Sequence, residues 1–155
     1  MSNLGPELSH SIRVDRPAQH IQKPTDQSRF ERALEIETVG VIFFDPAGDI
    51  IRANEAFLRM GGYTQDDVKA RRLRWDRLTP PEFMEASWRA ISQLKTRGST
   101  VPYEKQYYRK DGSRFWGLFA AKGISEHEGV EFIIDITERS LPSSATRVKP
   151  PFGAL

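Results

Sequence analysis

Apolar and polar positions change rhythm several times along this chain, and each change marks an element. Val39 to Phe44 is apolar throughout and predicts a buried strand. Asp45-Pro46-Ala47-Gly48 supplies turn residues, and Asp49 to Ala53 predicts the returning strand of a hairpin. Farther on, Tyr103 to Tyr108 mixes aromatic with polar residues, and Lys110-Asp111-Gly112-Ser113 is a hairpin turn whose Asp-Gly step accepts positive φ. Phe115 to Ala121 is apolar at nearly every position, which predicts a strand covered on both faces. A longer turn, Ser125 to Gly129, leads into a last strand. There Val130, Phe132, Ile134 and Ile136 alternate with Glu131, Ile133, Asp135 and Thr137, so the first set is expected to be buried.

The segments between these strands carry helical spacing. Phe30, Ala33, Leu34 and Thr38 predict a short amphipathic helix over 28–38. Asn54 is an N-cap for a helix with Ala56, Phe57 and Met60 inward, stopped at Gly61-Gly62. Thr64 and the acids Asp66 and Asp67 open another short helix. Thr79-Pro80-Pro81-Glu82 has the spacing of a capping box. The long helix after it would carry Phe83, Ser87, Ala90, Ile91 and Leu94 on one face, with Met84 and Trp88 beside them, and stop at Gly98. The expectation is an α+β domain over 28–139, a helix at 28–38 and a core at 39–139, with five antiparallel strands under one long helix. Residues 1–27 and 140–155 contain several prolines and no period, and are expected to be disordered tails.

Composition narrows the chemistry. The chain has 155 residues, 38% hydrophobic and 28% charged, in keeping with one soluble domain and polar flanks. Net charge is only +2, which gives no mandate for nucleic-acid binding. The basic cluster Arg71 to Arg77 has Asp66, Asp67, Asp76 and Glu82 around it and reads as a solvated loop with local ion pairs, Trp75 being its packing anchor. The absence of cysteine excludes disulfides and thiolate chemistry. No apolar run approaches the roughly 18 residues of a membrane span, and the N-terminus lacks a signal-peptide core, so no membrane partner is expected and a cytoplasmic location is the default. His10 and His20 in the polar N-terminal segment, and His127 in a turn, read as solvated side chains, and no metal site is expected. Glu104 and Asp135 are candidate acids without a nucleophile–base pair, and Glu104 beside Lys105 and Arg109 reads as a cross-strand ion pair.

Four stretches in order carry a family resemblance: Asp45 to Phe57, Gly62-Tyr63-Thr64, Tyr108 to Ser113, and Asp135-Ile136-Thr137-Glu138-Arg139. Together they resemble the PAS (S-box) sensory domain, of the type found in bacterial sensor histidine kinases. The resemblance implies strand order 2-1-5-4-3, helices on one face of the sheet, a pocket between helices and sheet, and a signalling role. It also implies that the Asp135–Thr137 group relays the signal to an output helix. Light-sensing members form a flavin adduct through a cysteine, which this chain lacks. Members that bind haem commonly ligate its iron through a histidine on the long helix, and Phe83 to Leu94 contains none. Flavin-adduct photochemistry is therefore excluded and histidine-ligated haem disfavoured, while the cofactor is left unknown and unligated aromatic ligands stay open. Pro142 and a Ser/Pro-rich segment follow Arg139 where a kinase-linked member continues into a charged helix, so no kinase activity of the chain itself is expected.

Two functions compete. As a sensory input module, the chain would bind a small hydrophobic or aromatic ligand among Phe44, Phe57, Met60, Trp88, Ile91, Phe119 and Phe132, residues that serve equally as core. As a homodimerisation or docking module with a dry core, it would use Phe30, Leu34, Ile42, Trp116 and Leu118. Either way the partners would be a second copy, a kinase or another signalling protein.

Overall fold

The computed structural model describes residues 23–140. Expectations for residues 1–22 and 141–155, His10 and His20 included, lie outside the described residues. The elements run α1 (Asp26–Leu34), β1 (Gly40–Phe44), β2 (Ile50–Ala53), α2 (Glu55–Gly61), α3 (Gln65–Lys69), α4 (Trp75–Leu78), a 3₁₀ turn (Pro81–Phe83), α5 (Met84–Arg97), β3 (Tyr103–Tyr108), β4 (Arg114–Ser125), β5 (Glu128–Asp135) and α6 (Thr137–Ser140). The five strands form one antiparallel sheet in the order β2-β1-β5-β4-β3. No helix among the described residues is long and apolar enough to cross a membrane.

Register sorts the side chains. Ile42, Phe44, Tyr107, Phe115, Phe119 and Ile133 join Phe57, Leu58 and Trp75 in the core. On the opposite side, Val41 is paired with Phe132, and Leu118 with Ile134. Within β5 the phase is thus the reverse of that expected, while Ile136, just past the end of the strand, is buried as expected. Glu131 and Ile133 are buried, whereas Phe132 is 48% exposed and Ile134 44%. Alternation marks two faces but does not say which is inside, and the more apolar set here lies outside. β4 likewise has one buried face: Phe115, Gly117, Phe119 and Ala121 are covered, and Trp116, Leu118 and Ala120 only partly.

Helix α1 starts at Asp26, inside the stretch expected to be a tail, because Thr25 caps it by accepting from Ser28 N. It lies against the face opposite the core: Phe30 meets Phe43 edge-on at 6.1 Å and Glu31 pairs with Arg52 at 2.6 Å. Asn54 ties three elements together. Its Oδ1 accepts from Phe57 N, capping α2, and from Val41 N in β1, while its Nδ2 donates to the carbonyls of Leu34 and Val39.

The capping box falls elsewhere than expected. Thr79 donates its hydroxyl to the Trp75 carbonyl at 2.7 Å and Glu82 pairs with Arg114, so the 3₁₀ turn precedes α5 without a side-chain cap. The full box belongs to α3, between Thr64 and Asp67. Helix α5 ends as expected at Gly98, where φ of 75° favours glycine. Arg74 bridges Asp49 at 2.7 Å and Asp76 at 2.9 Å, and Trp75 is buried with its indole N–H donated to the Asp45 carbonyl, so the basic cluster has the local ion pairs and packing anchor read from its sequence. One turn of helix, α6, forms ahead of Leu141-Pro142, where none was expected.

Packing of the sheet predicts one asymmetry. A Cβ at Gly129 would stand 2.6 Å from the Phe44 ring, whereas at Gly123 its nearest neighbour is 3.6 Å away. Gly129→Ala should therefore lose about 1–3 kcal/mol by overpacking, and Gly123→Ala should change stability by less than about 1 kcal/mol. Urea unfolding of the two variants measures the difference.

Candidate functional site

Strand β3 turns Tyr103, Lys105 and Tyr107 to the core, because residues two apart share a face. Lys105 is 1% exposed. Its Nζ donates to Ser87 Oγ of α5 at 2.9 Å and to the Tyr107 hydroxyl at 3.4 Å. The ring faces of Tyr107 and Phe119 lie 4.5 and 4.6 Å from it, and that of Tyr103 5.3 Å. Across the cavity, Glu131 of β5 is 5% exposed and accepts the Tyr103 hydroxyl at 3.2 Å. Ser87 and Thr79, both buried, approach each other at 3.4 Å.

Lys105 and Glu131 line one cavity without coming within ion-pair distance. Burial pushes the Lys105 ammonium down to about 8, an effect that the Glu131 charge partly offsets. Burial pushes the Glu131 carboxyl up, against the pull of Lys105 and the Tyr103 hydrogen bond. The hydroxyls of Tyr103 and Tyr107 are likewise held well above their ordinary range by burial first and by Glu131 second.

The cavity itself is only about 10 Å³, near the space one water needs. Phe44, Trp75, Ala90, Ile91, Leu94 and Ala121 complete its wall. Outside lies a half-open groove of about 470 Å³ between the end of α5, Pro46 and the β4–β5 turn. Ile91 and Leu94 line both spaces and so form the partition between them.

A curved sheet with a core cavity under α5 is matched by sequence: residues 38–138 fit the profile of the PAS domain. The chain belongs to the PAS domain family. This PAS domain is 33% identical over 125 residues to the hybrid signal transduction protein dokA of Dictyostelium discoideum, covering 77% of this chain and 8% of that protein. It is 29% identical over 126 residues to the sensor histidine kinase TmoS of Ectopseudomonas mendocina, covering 77% of this chain and 13% of that one. The chain thus spans about a tenth of the length of these relatives. In structure it is similar to the PAS domain of a protein from Colwellia psychrerythraea, with a TM-score of 0.62 at 21% identity, over 73% of this chain and 98% of the other. PAS domains of this kind are sensory modules found in signal transduction proteins such as histidine kinases.

The structure divides the expected site residues. Phe44 and Ile91 line the cavity. Phe57 and Phe119 are fully buried in the surrounding core, and Met60 packs on its margin. Two expected lining residues do not face the interior. Trp88 is 55% exposed and meets Trp75 edge-on at 5.4 Å from the solvent side of α5, and Phe132 is on the outer face of β5. Of the expected dimer residues, Ile42 is fully buried in the core, because its Cα partner is the inward Glu131. Phe30 is 47% exposed, and Leu34, Trp116 and Leu118 are partly covered, Trp116 by Phe83 at 5.3 Å.

Asp135 accepts from both the backbone N and the hydroxyl of Thr137, whose oxygen accepts in turn from Trp116 N at 3.1 Å, pinning the end of β5 to β4. Glu104 is exposed opposite Leu118 and forms no ion pair among the described residues. Lys105, its expected partner, points the other way.

Sequence reasoning missed Lys105 and Glu131. The signal was present for Lys105: once Tyr103 and Tyr107 are taken as core residues, the residue between them must share their face.

The Lys105 shift gives stability a pH dependence with a definite sign. Below pH 8 both folded and unfolded chains hold its proton, and the cost of burial is felt in full. From about 8 toward the ordinary 10.5 the folded chain sheds the proton and the unfolded chain keeps it, so stability rises. The shift corresponds to about 3 kcal/mol. Above about pH 10 the raised tyrosines reverse the slope, since the unfolded chain ionises them first. Urea unfolding from pH 7 to about 10 should show the rise in the native chain and a flat profile in Lys105→Met.

Proposed function

We propose that this PAS domain senses a small ligand or other cue in its core and relays it through dimerisation or partner contacts, in a two-component type of pathway. The two-sidedness of β5 carries this reading. One strand presents Glu131 to the polar cavity and Phe132 and Ile134 to the exterior, then ends in the Asp135–Thr137 knot. A shift of Glu131 would move residues on the other face, because a strand translates as a unit. The exposed apolar surface of Phe132 and Ile134, with partly covered Leu118 beside them and Phe30 on the flanking helix, suits a second copy or a signalling partner. The kinase and hybrid signalling relatives support an input role within a longer protein.

A second reading has its own support. The cavity of about 10 Å³ is too small for a flavin or similar ring, which favours a ligand-free dimerisation module in the closed form.

Sedimentation equilibrium tests the interface shared by both readings. The native chain should self-associate at micromolar concentration. The double variant Phe132→Glu, Ile134→Glu should weaken this at least about tenfold, since each buried apolar side chain contributes about 1.5 kcal/mol or more, and keep its circular dichroism spectrum. A native chain that stays monomeric at high micromolar concentration contradicts the dimer.

A further inference from the structure

Three hydrogen-bonding capacities converge on the core cavity without a partner among the described residues. The Lys105 ammonium has three protons and makes two hydrogen bonds. The Tyr107 hydroxyl accepts from Lys105, and its own proton has no acceptor. Glu131 receives the Tyr103 hydroxyl on Oε1, and Oε2 takes no hydrogen bond. All three side chains are at least nine-tenths buried and line the same space. Such a set offers two donors and one acceptor, facing an otherwise apolar wall of Phe44, Ile91, Leu94 and Ala121.

The charges argue against an ionic ligand. Lys105 and Glu131 offset each other inside the cavity, and a third charge brought into that interior would leave it with a net charge at a desolvation cost. At the groove, Lys95 stands with Glu126 and Glu128, so the entrance does not draw in anions. Ile91 and Leu94 are the parts that must move, being shared by groove and cavity. Leu94 is only partly buried, near the end of α5, and a rotamer change there would join the two spaces.

We propose that the cavity, enlarged into the groove as Leu94 swings aside, binds a small primary carboxamide, its carbonyl oxygen accepting from Lys105 and Tyr107, its amide N–H donating to Glu131, and its apolar body lying past Leu94 in the groove. A carbonyl oxygen has two lone pairs for the two donors, and the adjacent NH₂ supplies the single donor that Glu131 lacks. This assigns a ligand class to the sensory reading above and rests on it.

The test uses isobutyramide as probe, followed by NMR shifts of the intact chain, with isobutyrate and N,N-dimethylisobutyramide as comparisons. Isobutyramide should shift signals of Ser87, Lys105 and Glu131 saturably. The dimethyl amide, which has no N–H, and the anion should bind at least about tenfold more weakly, as expected for a lost buried hydrogen bond or an added buried charge. Leu94→Ala should admit the amide more readily and keep the order of the three probes. Glu131→Met, if it folds, should abolish the preference for the primary over the dimethyl amide. Equal binding of all three probes, or tighter binding of isobutyrate, overturns the carboxamide assignment but leaves a ligand-sensing core. No core shift with any probe, even in Leu94→Ala, overturns the assignment and the ligand-sensing reading with it, leaving the dimerisation module.

Discussion

An ammonium group in an aromatic core has to be solvated by the protein, and the interior of this domain is arranged around that demand. Lys105 finds Ser87 on α5, Tyr107 on its own strand and three ring faces, but no carboxylate at ion-pair distance. Breaking such an arrangement by removing one hydroxyl leaves a buried charge short of a partner, which costs more than an ordinary hydrogen bond contributes. The Ser87 contact is therefore also a tether. It holds the first turn of the long helix to the edge strand, so the seating of that turn depends on the bonding of Lys105.

Glu131 extends that dependence across the sheet. It lies two strands from Lys105 in the order β5-β4-β3, feels its charge, and is linked to β3 through Tyr103. Its immediate neighbour Phe132 is on the solvent side. Polar interior and apolar exterior thus meet in consecutive residues of one strand, a few positions before the hydrogen-bonded Asp135–Thr137 terminus. Asn54 does a comparable job at the other side of the sheet, where one amide joins α1, β1 and α2.

Much of the fold was legible in the sequence because its signals are local. The Asp-Gly turn, the Asn54 cap and the Gly98 stop each act within a few residues. What misled were signals that depend on tertiary partners. Thr79 and Glu82 have capping-box spacing, yet the Trp75 carbonyl and Arg114 claim them. In β5, alternation marks two faces, but Val130, Phe132 and Ile134 outweigh Ile133 in hydrophobicity and point to the outer face as the buried one. The candidate site suffered from the same bias. Apolar lining alone points to Phe44 and Ile91 of the cavity wall, and leaves out the lysine and glutamate, which ordinarily belong at the surface. Only the strand period, with tyrosines on either side of Lys105, places that lysine inside.

Direct titration of Lys105 tests the account most closely. In protein carrying ¹³C-labelled lysine, the Cε signals followed across the alkaline range should show one lysine, missing in Lys105→Met, that changes near pH 8, well below the exposed lysines at about 10.4. If every lysine titrates together near the ordinary value, the ammonium is not enclosed as described, and the interior site built on it does not exist.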